Sequence, residues 1–129
     1  MAADGAFVLR WGVAGAGAIS SDFVKAVQLM LPSNEHKFVA VAARSGAAAK
    51  SFAEQHDIPV HLEGYDQLCL RHDVDIVYVG TVHSTHLEVV TAALNAGKHV
   101  LCEKSMGLNA RQVKQMSQLA RQKGLFLME

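Results

Sequence analysis

The sequence predicts an α/β protein, a doubly wound parallel sheet of six strands with helices on both faces. Three observations predict it. Strand-like and helix-like segments alternate along all 129 residues. Half of the residues are hydrophobic, mostly Ala and Val, and only 6% are aromatic, which suits strands covered by helices on both sides. The first apolar run, "VLRWGVAGAGAIS", is interrupted by Gly12, Gly15 and Gly17. Glycine weakens a strand, so its use there implies a close approach to the backbone that a Cβ would block.

Each element has its own signal. Phe7 to Ala14 reads as the first strand, and Ser20 to Leu31 as a helix stopped by Pro32. Lys37 to Ala43 is the second strand. Ser45 can cap the helix "GAAAKSFAEQH", which ends before Ile58-Pro59. Val60-His61 is a very short third strand, and "EGYDQLCLRHD" holds a short helix. Asp75 to Val79 is the fourth strand. The helix in "THLEVVTAALNAG" has Thr85 and Glu88 spaced as a capping box and Gly97 as a C-terminal cap. Lys98 to Cys102 is the fifth strand. Asn109 to Lys123 repeats Val113, Met116, Leu119 and Ala120 on one face and stops at Gly124, and Leu125 to Met128 is the sixth strand.

A chain of this length supports one domain with a sizeable core. Twelve basic residues balance twelve acidic ones, which points away from nucleic acid and membrane surfaces as partners. Cys69 and Cys102 make no disulfide framework, so a reducing, cytoplasmic compartment is expected. Asp4 interrupts the start, which does not read as a signal peptide, and no run reaches the roughly 18 apolar residues of a membrane span.

Gly15-x-Gly17-x-x-Ser20 follows a strand and opens a helix, the context that a dinucleotide fingerprint requires. The first glycine permits the tight turn, the second admits a pyrophosphate to the backbone, and a small third residue lets helix and strand pack closely. The N-terminus of the helix that follows would offer N–H groups and partial positive charge to phosphates. The plain alternative is a structural strand–helix turn. An NAD-binding sheet usually ends its second strand with an acid for the ribose hydroxyl. Here that strand ends Ala42-Ala43-Arg44-Ser45, which places Arg44 to meet a 2′-phosphate. A hydrogen bond to a charged group contributes about 1.5–3 kcal/mol, so Arg44 would favour NADP over NAD roughly 10- to 100-fold. Otherwise Arg44 is a solvated charge at a strand end.

"DIVYVGTVHSTHLEVVTAALNAGKHVLCEKSMG" is more specific. With "LRWGVAGAGAISSDF", "HKFVAVAARS" and "KGLFLME", it resembles the glucose-fructose oxidoreductase / inositol dehydrogenase / MocA family of NAD(P)-dependent oxidoreductases over essentially every residue. The resemblance implies a Rossmann domain holding NADP along Gly15, Gly17, Ala18, Ile19, Arg44 and Ser45, with Thr81, His83, His86, Glu103 and Lys104 toward the nicotinamide. It implies a small-molecule substrate, such as a trans-dihydrodiol of an aromatic hydrocarbon or a pentose such as D-xylose. It also implies a second, larger α/β domain after the sixth strand, where Glu129 ends the sequence; a homodimer is expected only with that domain. The family's Glu-Lys-Pro signature matches Glu103-Lys104 but has Ser105 at its third position. Proline fixes φ, so its loss is expected to loosen the loop that aims Lys104, the residue that the resemblance makes catalytic. Glu103 either orients Lys104 or is structural. The general acid/base implied is a tyrosine of the second domain, and neither Tyr65 nor Tyr78 has that context, so the chain by itself is expected to bind NADP without catalysis.

His83 and His86 have i,i+3 spacing but no evident third ligand, so no metal site is expected. His36, His56, His61, His72 and His99 read as surface or packing residues. Cys102 lacks the neighbouring base that a nucleophile needs and reads as a buried strand residue.

Overall fold

In the computed structural model, residues 5–129 are described; Asp4 lies outside them. Six strands form one sheet: β1 (Leu9–Ala14), β2 (His36–Ala43), β3 (Val60–Glu63), β4 (Ile76–Val79), β5 (His99–Cys102) and β6 (Leu127–Met128). Every pairing is parallel, in the order β3-β2-β1-β4-β5-β6. The order reverses between β1 and β4, so their carboxyl ends flank the crevice where open α/β sheets bind ligands.

Among the described residues the α-helices are α1 (Ala18–Met30), α2 (Gly46–His56), α3 (Tyr65–Cys69), α4 (His86–Asn95) and α5 (Ala110–Lys123). Two apolar clusters mark the two faces of the sheet. Val24 and Val27 of α1 and Phe52 and Ala53 of α2 pack with Trp11, Val13, Phe38, Val41, Ile76 and Tyr78. Leu68, Val89, Val90, Leu94, Met116 and Ala120, from α3, α4 and α5, cover the other face.

The caps explain most boundaries. Ser45 Oγ accepts from the Ala48 N–H at 3.2 Å, and Asn109 Oδ1 accepts from the Gln112 N–H at 3.0 Å. Gly124 closes α5 at φ 65°. Three expectations need correction. The Thr85–Glu88 capping box does not form. Thr85 Oγ1 lies instead 2.8 Å from both Thr81 Oγ1 and the Val82 carbonyl, within a 3₁₀ turn (His83–Thr85), and α4 begins at His86, directly after Thr85, without that side-chain cap. Helix α1 begins at Ala18, two residues before Ser20, because Gly17 serves as its N-cap. And β3 extends to Glu63, since its ladder with β2 continues through Leu62 and Glu63.

The strand glycine Gly12 owes its smallness to packing. A Cβ there would lie 3.0 Å from Leu68 Cδ1 and 3.1 Å from Val74 Cγ1, so the close approach comes from the helix layer and not from a ligand.

Candidate functional site

The glycines of the first turn divide into two kinds. Gly15 is buried at φ +103°, and a Cβ on it would sit 2.8 Å from the Gly80 carbonyl oxygen. It is required because β1 ends between β2 and β4: the Gly15 N–H donates to Ala42 O of β2 at 2.8 Å, and the Gly80 N–H that follows β4 donates to Ala14 O at 2.9 Å. Gly17 is extended and exposed, and a Cβ there would meet nothing within 4 Å. No protein neighbour demands glycine at 17, so the space over it is open to a ligand. Ser20, the small third residue, is fully buried with no hydrogen-bond partner for Oγ. A Cβ on Gly80 would collide with that Oγ and lie 2.8 Å from Tyr78 Cε1. Ser20 and Gly80 are thus jointly small so that α1 can start tight against the end of β4.

A cleft of about 560 Å³ opens over this turn, bounded by Gly15–Gly17 and Gly80–Val82, with Ala43, Arg44, Ser45, Ala48 and Tyr65 opposite. Helix α1 points its N-terminus here without a side-chain cap or an acid in its first turn. Its first N–H groups and partial positive charge are therefore left for an anion. Arg44 stands exposed at the end of β2, and neither ion pair among the described residues involves it.

Of the residues expected to hold the cofactor, Gly15, Gly17, Arg44, Ser45 and Thr81 line the cleft. Ala18 and Ile19 are exposed at the start of α1 beside it. His83, His86, Glu103 and Lys104 lie outside its lining, in the segments that follow β4 and β5. Those two segments are tied together. His86 is buried, with Nε2 3.1 Å from the Thr81 carbonyl and Nδ1 2.8 Å from the Ser105 carbonyl. His83 Nε2 is 2.9 Å from the Gly107 carbonyl, and the Met106 N–H donates to Glu129 Oε2 at 2.7 Å. The loop after β5 is therefore held at three points despite Ser105 in place of proline. Its Lys104–Ser105 peptide is cis.

Glu103 accepts a hydrogen bond from Tyr78 Oη at 2.8 Å, and the Tyr78 ring stacks on Phe23 at 4.0 Å. Burial, then this bond, raises the Tyr78 phenol well above its ordinary value. Glu103 is thus anchored to the sheet, while Lys104 is exposed and in neither ion pair. Cys102 is buried and its thiol is pushed up to about 12 by burial, with Glu129 and Glu103 adding to the shift. A thiol so placed does not supply a thiolate near neutral pH. Among the described residues no group of three or more His, Cys, Asp or Glu could hold a metal ion, and no helix is long and apolar enough to cross a membrane.

Known proteins share this fold. The family model GFO_IDH_MocA, described as an oxidoreductase family with an NAD-binding Rossmann fold, matches residues 9–129. The chain belongs to that family. It is 51% identical over 121 residues to the bovine trans-1,2-dihydrobenzene-1,2-diol dehydrogenase and 49% to the human protein of that name, covering 94% of this chain. It spans 36% of the length of these relatives. Among solved structures, the 3-ketoreductase KijD10 from Actinomadura kijaniata, in complex with NADP and TDP-benzene, superposes with a TM-score of 0.87 at 36% identity, covering 95% of this chain and 37% of its own. A Synechocystis biliverdin reductase in complex with biliverdin and NADP+ gives a TM-score of 0.82 at 27% identity, covering 93% of this chain and 37% of its own. The Rossmann fold and the oxidoreductase family expected from the sequence are both found. Gly80 and Tyr65 were missed as cleft residues. The signals lay in a glycine directly after β4 and in the Gly64-Tyr65 step that opens α3.

Proposed function

We propose that this chain is the NADP-binding domain of a dehydrogenase that moves a hydride from a carbinol carbon of a small substrate. One observation carries the reading: the glycine turn and the open N-terminus of α1 share a cleft with Arg44, at the position where an NAD-selective sheet has an acid. Gly15 and Gly17 admit the pyrophosphate, and the first N–H groups of α1 bind it. Arg44 pairs with the 2′-phosphate, with Ser45 beside it. Thr81, His83, His86, Glu103 and Lys104 serve the nicotinamide end. When bound, the nicotinamide supplies the hydride acceptor. Lys104 is the catalytic residue, its ammonium stabilising the alkoxide character of the substrate oxygen as the hydroxyl proton passes to a base of the family's further domain and the hydride leaves the carbon. His86 and Glu103 hold the segments on either side of that lysine.

The likeness to dihydrodiol dehydrogenases supports a trans-dihydrodiol as substrate, with a pentose such as D-xylose as the second candidate. Two separate, buried, free cysteines fit a reducing, cytoplasmic setting. Homodimerisation is assigned to the family's further domain. A second reading, in which the 129 residues bind NADP without turnover, is favoured by the tyrosines. The chain has two, one at the Arg44 end of the cleft and the other buried against Glu103. The first belongs to the Arg44 end, and the phenol of the second is buried and already donates to Glu103. Calorimetric titration with NADPH and NADH tests the common core of both readings. Tighter binding of NADPH is expected, and equal affinities overturn the NADP assignment.

A further inference from the structure

The edge of the sheet opposite the nucleotide cleft carries a surface of a different kind. Leu29 and Met30 end α1 and Leu31 follows as its C-cap; they are 85%, 80% and 42% exposed. Among the described residues no other three consecutive large apolar side chains are exposed. Single exposed apolar residues are ordinary, whereas such a run favours association. Leu31 also lines a hollow of about 700 Å³ beside the run, with Val27, Phe38 and Pro59 as further apolar wall. This hollow lies at the amino end of β2, and the nucleotide cleft lies beyond that strand's carboxyl end.

Lys37 and Asp57 line the hollow too. Both are exposed, and neither ion pair among the described residues involves them. Asp57 closes α2 at φ 56°, the one positive φ outside glycine among the described residues. Glycine would be less strained there, so a carboxylate is kept beside the hollow at some cost in backbone energy. The surface thus complements itself. It has apolar side chains that project, a hollow with apolar walls to receive them, one cation and one anion. A two-fold axis brings each feature to its opposite on a second copy, as an isologous contact requires. A membrane suits the run less well, because Glu35 and Asp57 repel anionic lipid and the charges of the chain balance.

We propose that this face joins two copies of the chain: Leu29 and Met30 of one copy enter the hollow of the second, and Lys37 of each copy pairs with Asp57 of the other. The contact is separate from the dimer assigned to the family's further domain. Sedimentation equilibrium over a concentration series reads the association of the unaltered chain, and circular dichroism checks the fold of each variant. A monomer–dimer equilibrium is expected. Met30→Glu alters a side chain already in solvent and weakens association about tenfold or more, as loss of an apolar anchor does. Leu108→Glu alters an exposed apolar residue beyond β5 and leaves association within about twofold. Lys37→Asp and Asp57→Lys each set like charges against each other and weaken association about tenfold, and the variant carrying both recovers to within about threefold of the parent. A chain that is monomeric at every concentration, unchanged association in Met30→Glu, an equal loss in Leu108→Glu, or a doubly reversed variant no better than the single ones overturns the inference.

Discussion

Replacing Gly17 with valine should separate cofactor binding from folding. The backbone at Gly17 has φ −93° and ψ −174°, an extended conformation that valine adopts readily. A Cβ there meets nothing within 4 Å. The folded chain therefore accommodates the side chain without a clash. Valine is a poor N-cap, which costs about 1 kcal/mol, but it restricts the unfolded chain, which offsets about 0.4–1 kcal/mol. Net stability should stay within about 1 kcal/mol of the parent. Binding is another matter, because the branched side chain fills the space through which a pyrophosphate reaches the α1 amides. Losing two charge-assisted hydrogen bonds of about 1.5–3 kcal/mol each weakens binding more than 100-fold. Chemical denaturation followed by circular dichroism reads the first quantity and calorimetric titration with NADPH the second. Gly15→Ala is the counterpart. Its Cβ would sit 2.8 Å from the Gly80 carbonyl oxygen at a backbone φ of +103°. That variant should lose about 2 kcal/mol of stability or more. A Gly17→Val chain that is folded and binds NADPH normally would refute the assignment of this turn to the pyrophosphate.

Further outcomes follow from the same geometry. Arg44→Asp should reverse the preference to NADH, since a carboxylate accepts from a ribose hydroxyl and repels a 2′-phosphate; unchanged selectivity in competitive titration counts against Arg44. The Arg10 side-chain hydrogen bond holds the Asp75 carboxyl below its usual value, so its contribution to stability is present near neutral pH and lost as pH falls through the depressed pKa. The stability gap between the parent and Asp75→Asn, read from denaturant midpoints, should therefore narrow below about pH 4. The 129-residue chain should bind NADP without measurable oxidation of D-xylose or of a benzene dihydrodiol. Without an enclosed substrate, about 7–11 kcal/mol of orientation is forfeited. NADPH production that disappears in Lys104→Ala would show instead that the site is complete.

The parts of the fold legible in the sequence are those set by local chemistry. Asn109 and Gly124 bracket α5 because a side-chain acceptor and a left-handed glycine act within one turn of the helix ends. Gly46–His56 follows from Ser45 by the same logic. Where a side chain has a choice of partners, local spacing misleads. Thr85 has the capping-box interval to Glu88 and directly precedes α4, yet its hydroxyl reaches back to Thr81 and Val82 instead of capping the helix. The site divides likewise. Gly15, Gly17 and Arg44 are legible because each sits at the carboxyl end of a strand in a motif whose geometry is local. Tyr65 and Gly80 are not, because their place in the cleft depends on where β3 and β4 lie across the sheet.

The Glu103–Lys104–Ser105 segment shows why a missing proline need not free a loop. A proline restrains its own φ and nothing beyond its neighbours. Here the restraint is tertiary. Tyr78 of β4 holds Glu103 before the lysine, and the buried His86 ring spans the Ser105 carbonyl after it and the Thr81 carbonyl at the cleft. The Met106 side chain is buried and its N–H is bonded to Glu129. The bonds Tyr78–Glu103, His86–Ser105 and Met106–Glu129 cross between segments far apart in sequence, so none of the three is visible as a motif, and together they hold both flanks of Lys104 while leaving its side chain exposed. That combination suits a lysine that must meet a ligand from a fixed base. It also puts Thr81, which lines the nucleotide cleft, one side chain away from the loop that carries the ammonium.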